Sequence, residues 1–285
     1  HNTSFYALEE DLGYKIPVIF VHGIGGSPRS FQSIVDRLDR QRYKPWFYYY
    51  PSGGDLEQLA DLFYEVYLSG KAVRQDGMPM IVIAHSMGGL VVREALNKYD
   101  HNSTENKVEL FISIATPFGG HPAAATGEKH GLIVLPAWRD VNPESRFINN
   151  LYRQPLPEYV EHHLLYAYQN SDALKLGENS DGVVPLSSQL HPSAQTASSA
   201  QFGFNSNHTA ILEDDGLISY ILEQFPKVKN VFPEDHLQYC FMGGYNIELS
   251  DEYSPIDRYI IQNLGHYWTA VSNGTLTPFF EEQEH

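Results

Sequence analysis

Apolar residues in this chain fall in short unbroken runs separated by stretches of helical spacing, and that alternation predicts a fold class. "IPVIFVHG" (16–23) is apolar throughout until its His-Gly ending, as a strand buried on both faces should be. "WFYYYP" (46–51) is a second run, rich in aromatics. From Asp55 to Leu68 the residues Leu56, Leu59, Ala60, Phe63 and Val66 recur on one helical face, with Asp55 placed to cap it. "MIVIA" (80–84) is a third strand, and Met87 to Tyr99 reads as a helix apolar nearly all round, hence buried. "VELFISIAT" (108–116), "HHLLYAY" (162–168) and a weaker "SAQFGF" (199–204) supply three more strands. Thr209 to Phe225 closes the series as an amphipathic helix through Ile211, Leu212, Ile218, Ile221 and Leu222. Strands alternating with helices predict an α/β fold, a mostly parallel sheet with helices on both faces. Such sheets carry their ligands at the carboxyl ends of the strands.

This pattern spans residues 1–226 as one domain. Residues 117–160, with the apolar "HGLIVLPAW" (130–138), form a long insertion that is either a lid or substrate wall, or an ordinary crossover with long loops. Beyond Pro226 the pattern changes. Gly243-Gly244 lies within "LQYCFMGGYNIEL" (237–249) and Asn273-Gly274 within "WTAVSNGTLTPF" (268–279), both hairpin signals. An isolated hairpin is marginal in water, so residues 227–285 are expected to form a small, mainly β extension packed on the core.

The strand at 80–84 runs straight into "AHSMGGLVV". A strand, a serine between single residues and small neighbours, then a helix, make a nucleophile elbow, in which the sharp turn lifts the serine clear of both elements. Ser86 is that serine, with Ala84 in the place more often held by glycine. A serine hydroxyl is a poor nucleophile at neutral pH, so it needs a histidine base and a carboxylate to orient the base. In this architecture they follow in the order Ser, acid, His, after later strands. Asp181 in "ENSDGVVP" is the candidate acid, with Asp172 its rival and a simple Asp-Gly turn its bland reading. His208 in "NSNHTAIL" is the candidate base, because His162 and His163 sit in a strand, His191 early in a loop, and His236 and His266 in the tail. The backbone amides of Met87 and of Ile24, in "HGIGGSP" (22–28), are the candidate oxyanion donors. A phosphate-cradle reading of that loop lacks both G-x-G-x-x-G and a Walker lysine.

Composition narrows the partners. Lys and Arg number 19 against 35 Asp and Glu, a net charge of −16, which disfavours nucleic acid and anionic lipid headgroups. No run approaches the roughly 20 apolar residues of a spanning helix, so no stable membrane insertion is expected, only transient contact with a lipid surface. The one cysteine, Cys240, has no disulfide partner within the chain. His121, His130, His162 and His163 show no paired-ligand spacing, and neither a metal nor a cofactor is expected. Arg93 reads as a structural ion-pair partner. Sequons begin at Asn2, Asn102, Asn207 and Asn273, and the one at Asn207, beside His208, is expected to stay unmodified. The chain opens at His1 rather than Met, leaving room for a removed leader; a secreted or cell-envelope location is slightly favoured over a cytoplasmic one.

"VHGIGG", "AHSMGGLVVR", "SDGVVP" and "NSNH" resemble the α/β-hydrolase fold, and within it small bacterial lipases and esterases. "IATPFGGHPAA" (114–124) and "VNPESRFINNL" (141–151) are similar to larger lipase-like members, including the inositol-deacylase-like branch that cuts acyl esters from glycolipids. The resemblance runs from Ile16 to Phe225. It implies Ser86, Asp181 and His208 as triad and Ile24 and Met87 as oxyanion amides, the residues reached above. It also implies that the antiparallel strands opening full-sized members are missing or truncated here, since only about fourteen residues precede the first central strand.

The expected activity is serine-dependent hydrolysis of carboxylic esters through an acyl-enzyme, on short soluble esters or on lipids. Phospholipase, amidase, thioesterase and acyltransferase chemistry would use the same residues. A non-catalytic binding protein is the alternative from another class, and the complete set of elements argues against it.

Overall fold

The computed structural model of the chain describes residues 4–7, 13–75, 77–100, 105–124, 136–169 and 179–241. The chain divides into two compact units, His1–Lys229 and Asn230–His285. The first is built on a seven-stranded sheet. Its strands are β1 (Ser4–Ala7), β2 (Ile16–Val21), β3 (Tyr43–Tyr49), β4 (Met80–His85), β5 (Val108–Ile114), β6 (Glu161–Ala167) and β7 (Ala200–Phe204). They stand in the order β1-β3-β2-β4-β5-β6-β7. β2 through β7 are parallel, and β1 adds one antiparallel edge strand, pairing Ser4 with Tyr49 and Ala7 with Trp46. Among the described residues before β2, Ser4–Ala7 form a short antiparallel strand that hydrophobic patterning does not reveal.

The unbroken apolar runs have the cause assigned to them. Every residue of β2 and of β4 is buried, because helices cover both faces of the sheet centre. Helix α1 (Leu56–Phe63) starts at Asp55, whose carboxylate accepts from the Gln58 amide, and runs on into a π turn over Tyr64–Leu68. Helix α2 (Met87–Leu96) is buried at all ten positions. The sheet lies on one side of α2 and the insertion on another. The Arg93 guanidinium donates to the Gln154 carbonyl at 2.7 Å, Asn97 to that of Leu151 at 2.9 Å, and Arg153 to both oxygens of Glu94 at 2.6 and 2.7 Å. Burying Leu90, Val91 and Val92 stabilises the fold by about 1.5–3 kcal/mol each.

Three expectations change. The single helix expected over Thr209–Phe225 is broken at Asp214, which is extended. A 3-10 turn, Ala210–Glu213, precedes it, and helix α3 (Asp215–Gln224) follows, capped by the Asp214 side chain on the Leu217 amide. Arg93 is held by Asn97 and a backbone carbonyl rather than by a carboxylate. In the second unit, Glu234–Phe241 forms helix α4, so the leading arm expected for the first tail hairpin is helical over Leu237–Phe241. Glu234 and Asp235 in its first turn suit a helix N-terminus, a local preference that overrides the aromatic, strand-like composition of the run. The turns at Gly243-Gly244 and Asn273-Gly274 lie outside the described residues. So does most of the apolar "GLIVLP" of the insertion, whose described parts include the short helices Pro136–Asp140 and Arg146–Asn150.

Candidate active site

Ser86 stands between β4 and α2 at φ 55° and ψ −130°, a left-handed region that a side chain rarely adopts. The conformation is held from both sides. Its N–H donates to the Ile114 carbonyl at the end of β5 (2.8 Å), and its own carbonyl accepts from the Gly89 amide (3.0 Å). Room for so tight a turn comes from missing side chains. A Cβ at Gly88 would lie 2.5 Å from the Val21 carbonyl oxygen and 2.6 Å from that of His22, and one at Gly23 would lie 2.7 Å from the Ser86 Cβ. α2 and the loop after β2 therefore meet at the serine.

The other two candidates reach Ser86 from more than 90 residues along the chain. His208 Nε2 lies 2.9 Å from Ser86 Oγ, and its Nδ1 lies 2.6 Å from Asp181 Oδ2. Since a carboxylate only accepts, Nδ1 carries the proton and Nε2 is free to accept from the serine hydroxyl. Asp181 follows β6, in a turn that Gly182 makes possible at φ 93°. Its Oδ1 accepts from the amides of Val183 (2.9 Å) and Val184 (2.7 Å), and Oδ2 also accepts from Gln189 Nε2 at 3.1 Å. The Asp-Gly turn and the candidate acid are thus one device, in which the turn fixes the carboxylate that faces the imidazole. Ser86, Asp181 and His208 are all buried. Asp172, the rival acid, lies outside the described residues.

Of the two candidate oxyanion residues, Met87 is the first residue of α2, where an amide has no acceptor within the helix. Ile24 lies on the loop that Gly23 brings against Ser86, with its side chain half exposed. The loop is braced from beneath by His22, which stacks on Tyr50 with ring centroids 4.3 Å apart and planes 9° from parallel. His22 Nδ1 donates to the Gly23 carbonyl at 2.7 Å, and its Nε2 accepts from the Tyr50 amide at 3.3 Å. Burial depresses the His22 pKa below its usual value, in keeping with a neutral ring. His162 and His163 are buried in β6, where His162 contacts Ser113 and His163 contacts Glu161 and Tyr220. His191 caps the helix Pro192–Ala197, and His121 donates to the Val183 carbonyl. None of these four is hydrogen-bonded to Ser86, His208 or Asp181. Among the described residues no three His, Cys, Asp or Glu side chains gather as metal ligands, and no helix is long and apolar enough to cross a membrane.

Sequence reasoning missed the supports. Gln189 and the amides of Val183 and Val184 bear no motif, although the spacing Asp-x-Val-Val is short enough for an Asx turn. His85 stands inside the elbow motif, yet its partner, the His208 carbonyl, is 123 residues away.

The profile of the lecithin:cholesterol acyltransferase family matches residues 60–235, which include Ser86, Asp181 and His208. A GPI inositol-deacylase of Candida albicans is 29% identical over 137 residues, covering 41% of this chain and 33% of that protein, so the chain spans about a third of the length of this curated relative. The fold is similar to that of the mature Bacillus licheniformis lipase BlEst2 (TM-score 0.57, 18% identity, 79% of this chain and 98% of that one). It is also similar to Aspergillus fumigatus lipase B (TM-score 0.57, 16% identity, 79% and 57%). With the strand order and the elbow described above, these findings establish that the chain belongs to the lecithin:cholesterol acyltransferase family and carries the α/β-hydrolase fold of lipases and esterases.

Proposed function

We propose that the protein hydrolyses carboxylic esters through an acyl-enzyme on Ser86. The observation that carries this reading is the hydrogen-bonded row from Ser86 Oγ through His208 to Asp181, with distances of 2.9 and 2.6 Å. His208 Nε2 takes the serine proton as Oγ attacks the ester carbonyl, and the resulting imidazolium lies against the buried Asp181 carboxylate. The tetrahedral oxyanion forms at the N-terminus of α2, where the Met87 amide and the helix dipole favour negative charge; the Ile24 amide is the second donor. Collapse breaks the bond to the alcohol oxygen, which leaves with the proton from His208. Water then attacks the acyl-serine, giving its proton to the same nitrogen, and Ser86 is released with the free acid.

Membership of the acyltransferase family and similarity to an inositol deacylase and to lipases support acyl esters, lipids among them, as the substrate class. The test is hydrolysis of p-nitrophenyl esters from acetate to palmitate by the wild-type protein and by Ser86→Ala. Turnover in the wild type and a loss of about 10⁴-fold or more in the variant are expected, with the preferred chain length separating esterase from lipase. An equally active Ser86→Ala protein would refute the reading.

A further inference from the structure

His85 precedes Ser86 in β4, is buried, and has no part in the reaction outlined above. Its Nε2 lies 2.8 Å from the backbone carbonyl oxygen of His208. A carbonyl has no proton to give, so Nε2 carries the hydrogen and donates it. His208 is consequently clamped at both ends of its own backbone: its N–H donates to the Asp181 carbonyl at 3.0 Å, and its C=O accepts from His85. Nearby ties act on other residues. Asn207 Oδ1 accepts from the amides of Thr209 and Ala210, and Ser206 Oγ donates to Asp214.

The direction of an imidazole follows from where its backbone is held, and a misplacement of about 1 Å can cost about 10²-fold in rate. From this geometry we infer that His85 is a positioning residue, whose Nε2–H bond to the His208 carbonyl fixes the height and tilt of the base over Ser86. The role in turnover rests on the function proposed above, whereas the ordering of His208 does not.

Charge explains why a histidine suits the position. The rings of His85 and His208 are 4.8 Å apart. Burial first, then the neighbouring His208 imidazole, push the His85 pKa down to about 3, so it donates as a neutral group. A cation there would oppose the imidazolium that His208 must become when it takes the serine proton.

The test compares His85→Leu, which lacks a donor, with His85→Gln, whose side-chain amide retains one at about the same reach. Two readouts are taken on full-length protein: kcat and KM for p-nitrophenyl butyrate, and the low-field proton resonance of His208 Nδ1–H, assigned by its absence in His208→Ala. Expected for His85→Leu is a fall in kcat of about 10- to 100-fold with KM within about twofold, and loss or broadening of the resonance. His85→Gln is expected to restore most of both. A sharp resonance and near-wild-type kcat in folded His85→Leu would overturn the inference. So would a folded His85→Gln as impaired as His85→Leu, which also decides the case if His85→Leu does not fold. Should the wild-type protein show no esterase activity, the resonance still tests His85, and the proposed function fails separately.

Discussion

Gly88 and Gly89 are two residues beside Ser86 at which one added methyl meets its neighbours. At Gly88 the new Cβ meets backbone oxygens at 2.5 and 2.6 Å, which cannot swing aside, so Gly88→Ala must push α2 off β2 at a cost of about 1–3 kcal/mol or more. At Gly89 it meets Thr116 Oγ1 at 2.0 Å and Cγ2 at 2.7 Å, atoms of a side chain. Gly89→Ala should therefore be partly rescued by Thr116→Ala, and denaturant unfolding of the two single variants and the double variant measures the coupling. No such rescue should exist for Gly88. The candidates Ser86, Asp181 and His208, which the fold brings together, could be picked out at this scale because each sits at a position with its own local signature: an elbow, a turn after a strand, a histidine before a helix. His85 and Gln189 could not be, because what defines them is a partner reached only through the fold.

Elements were legible where burial dictates them and less so where a single polar side chain does. β2 and β4 announce themselves by apolar runs and α2 by a surface apolar nearly all round, and all are fully buried. The break between the 3-10 turn and α3 depends instead on Asp214, whose carboxylate receives Ser206 Oγ at 2.8 Å and the Leu217 amide at 3.0 Å and prevents the amphipathic pattern from running straight through. β1 is four residues long and finds its identity only in β3. The start of α1 shows the same dependence on distant residues. Asp55 caps the Gln58 amide, and Asp140, from the insertion, caps the Leu56 amide at 2.8 Å. Asp140→Ala is expected to destabilise the fold by about 1 kcal/mol through that lost cap. A midpoint of thermal unfolding unchanged from wild type would show that the insertion does not anchor α1.

At the scale of the whole molecule, buried histidines should govern the response to acid. His22, His85 and His162 all have pKa values lowered chiefly by burial, to about 3 for the last two. The unfolded chain binds these protons near 6.5 and the folded protein does not, so stability is greatest above that value and falls as pH drops below it. Glu109 and Asp140, raised by burial, act with the opposite sign only nearer the carboxylate range. Thermal unfolding followed from pH 7.5 to 5.5 should show a steadily falling midpoint, and a flat profile would mean that these rings are protonated in the folded state.

Whether Ser86 is an activated nucleophile can be read by covalent labelling. A fluorophosphonate is attacked by an activated serine and hardly at all by an ordinary hydroxyl. Peptide mass spectrometry of the native protein after brief exposure should find a single adduct, on Ser86. The adduct should be lost after prior denaturation and in His208→Ala. Labelling at another residue, or native protein left unmodified at Ser86, would contradict the account.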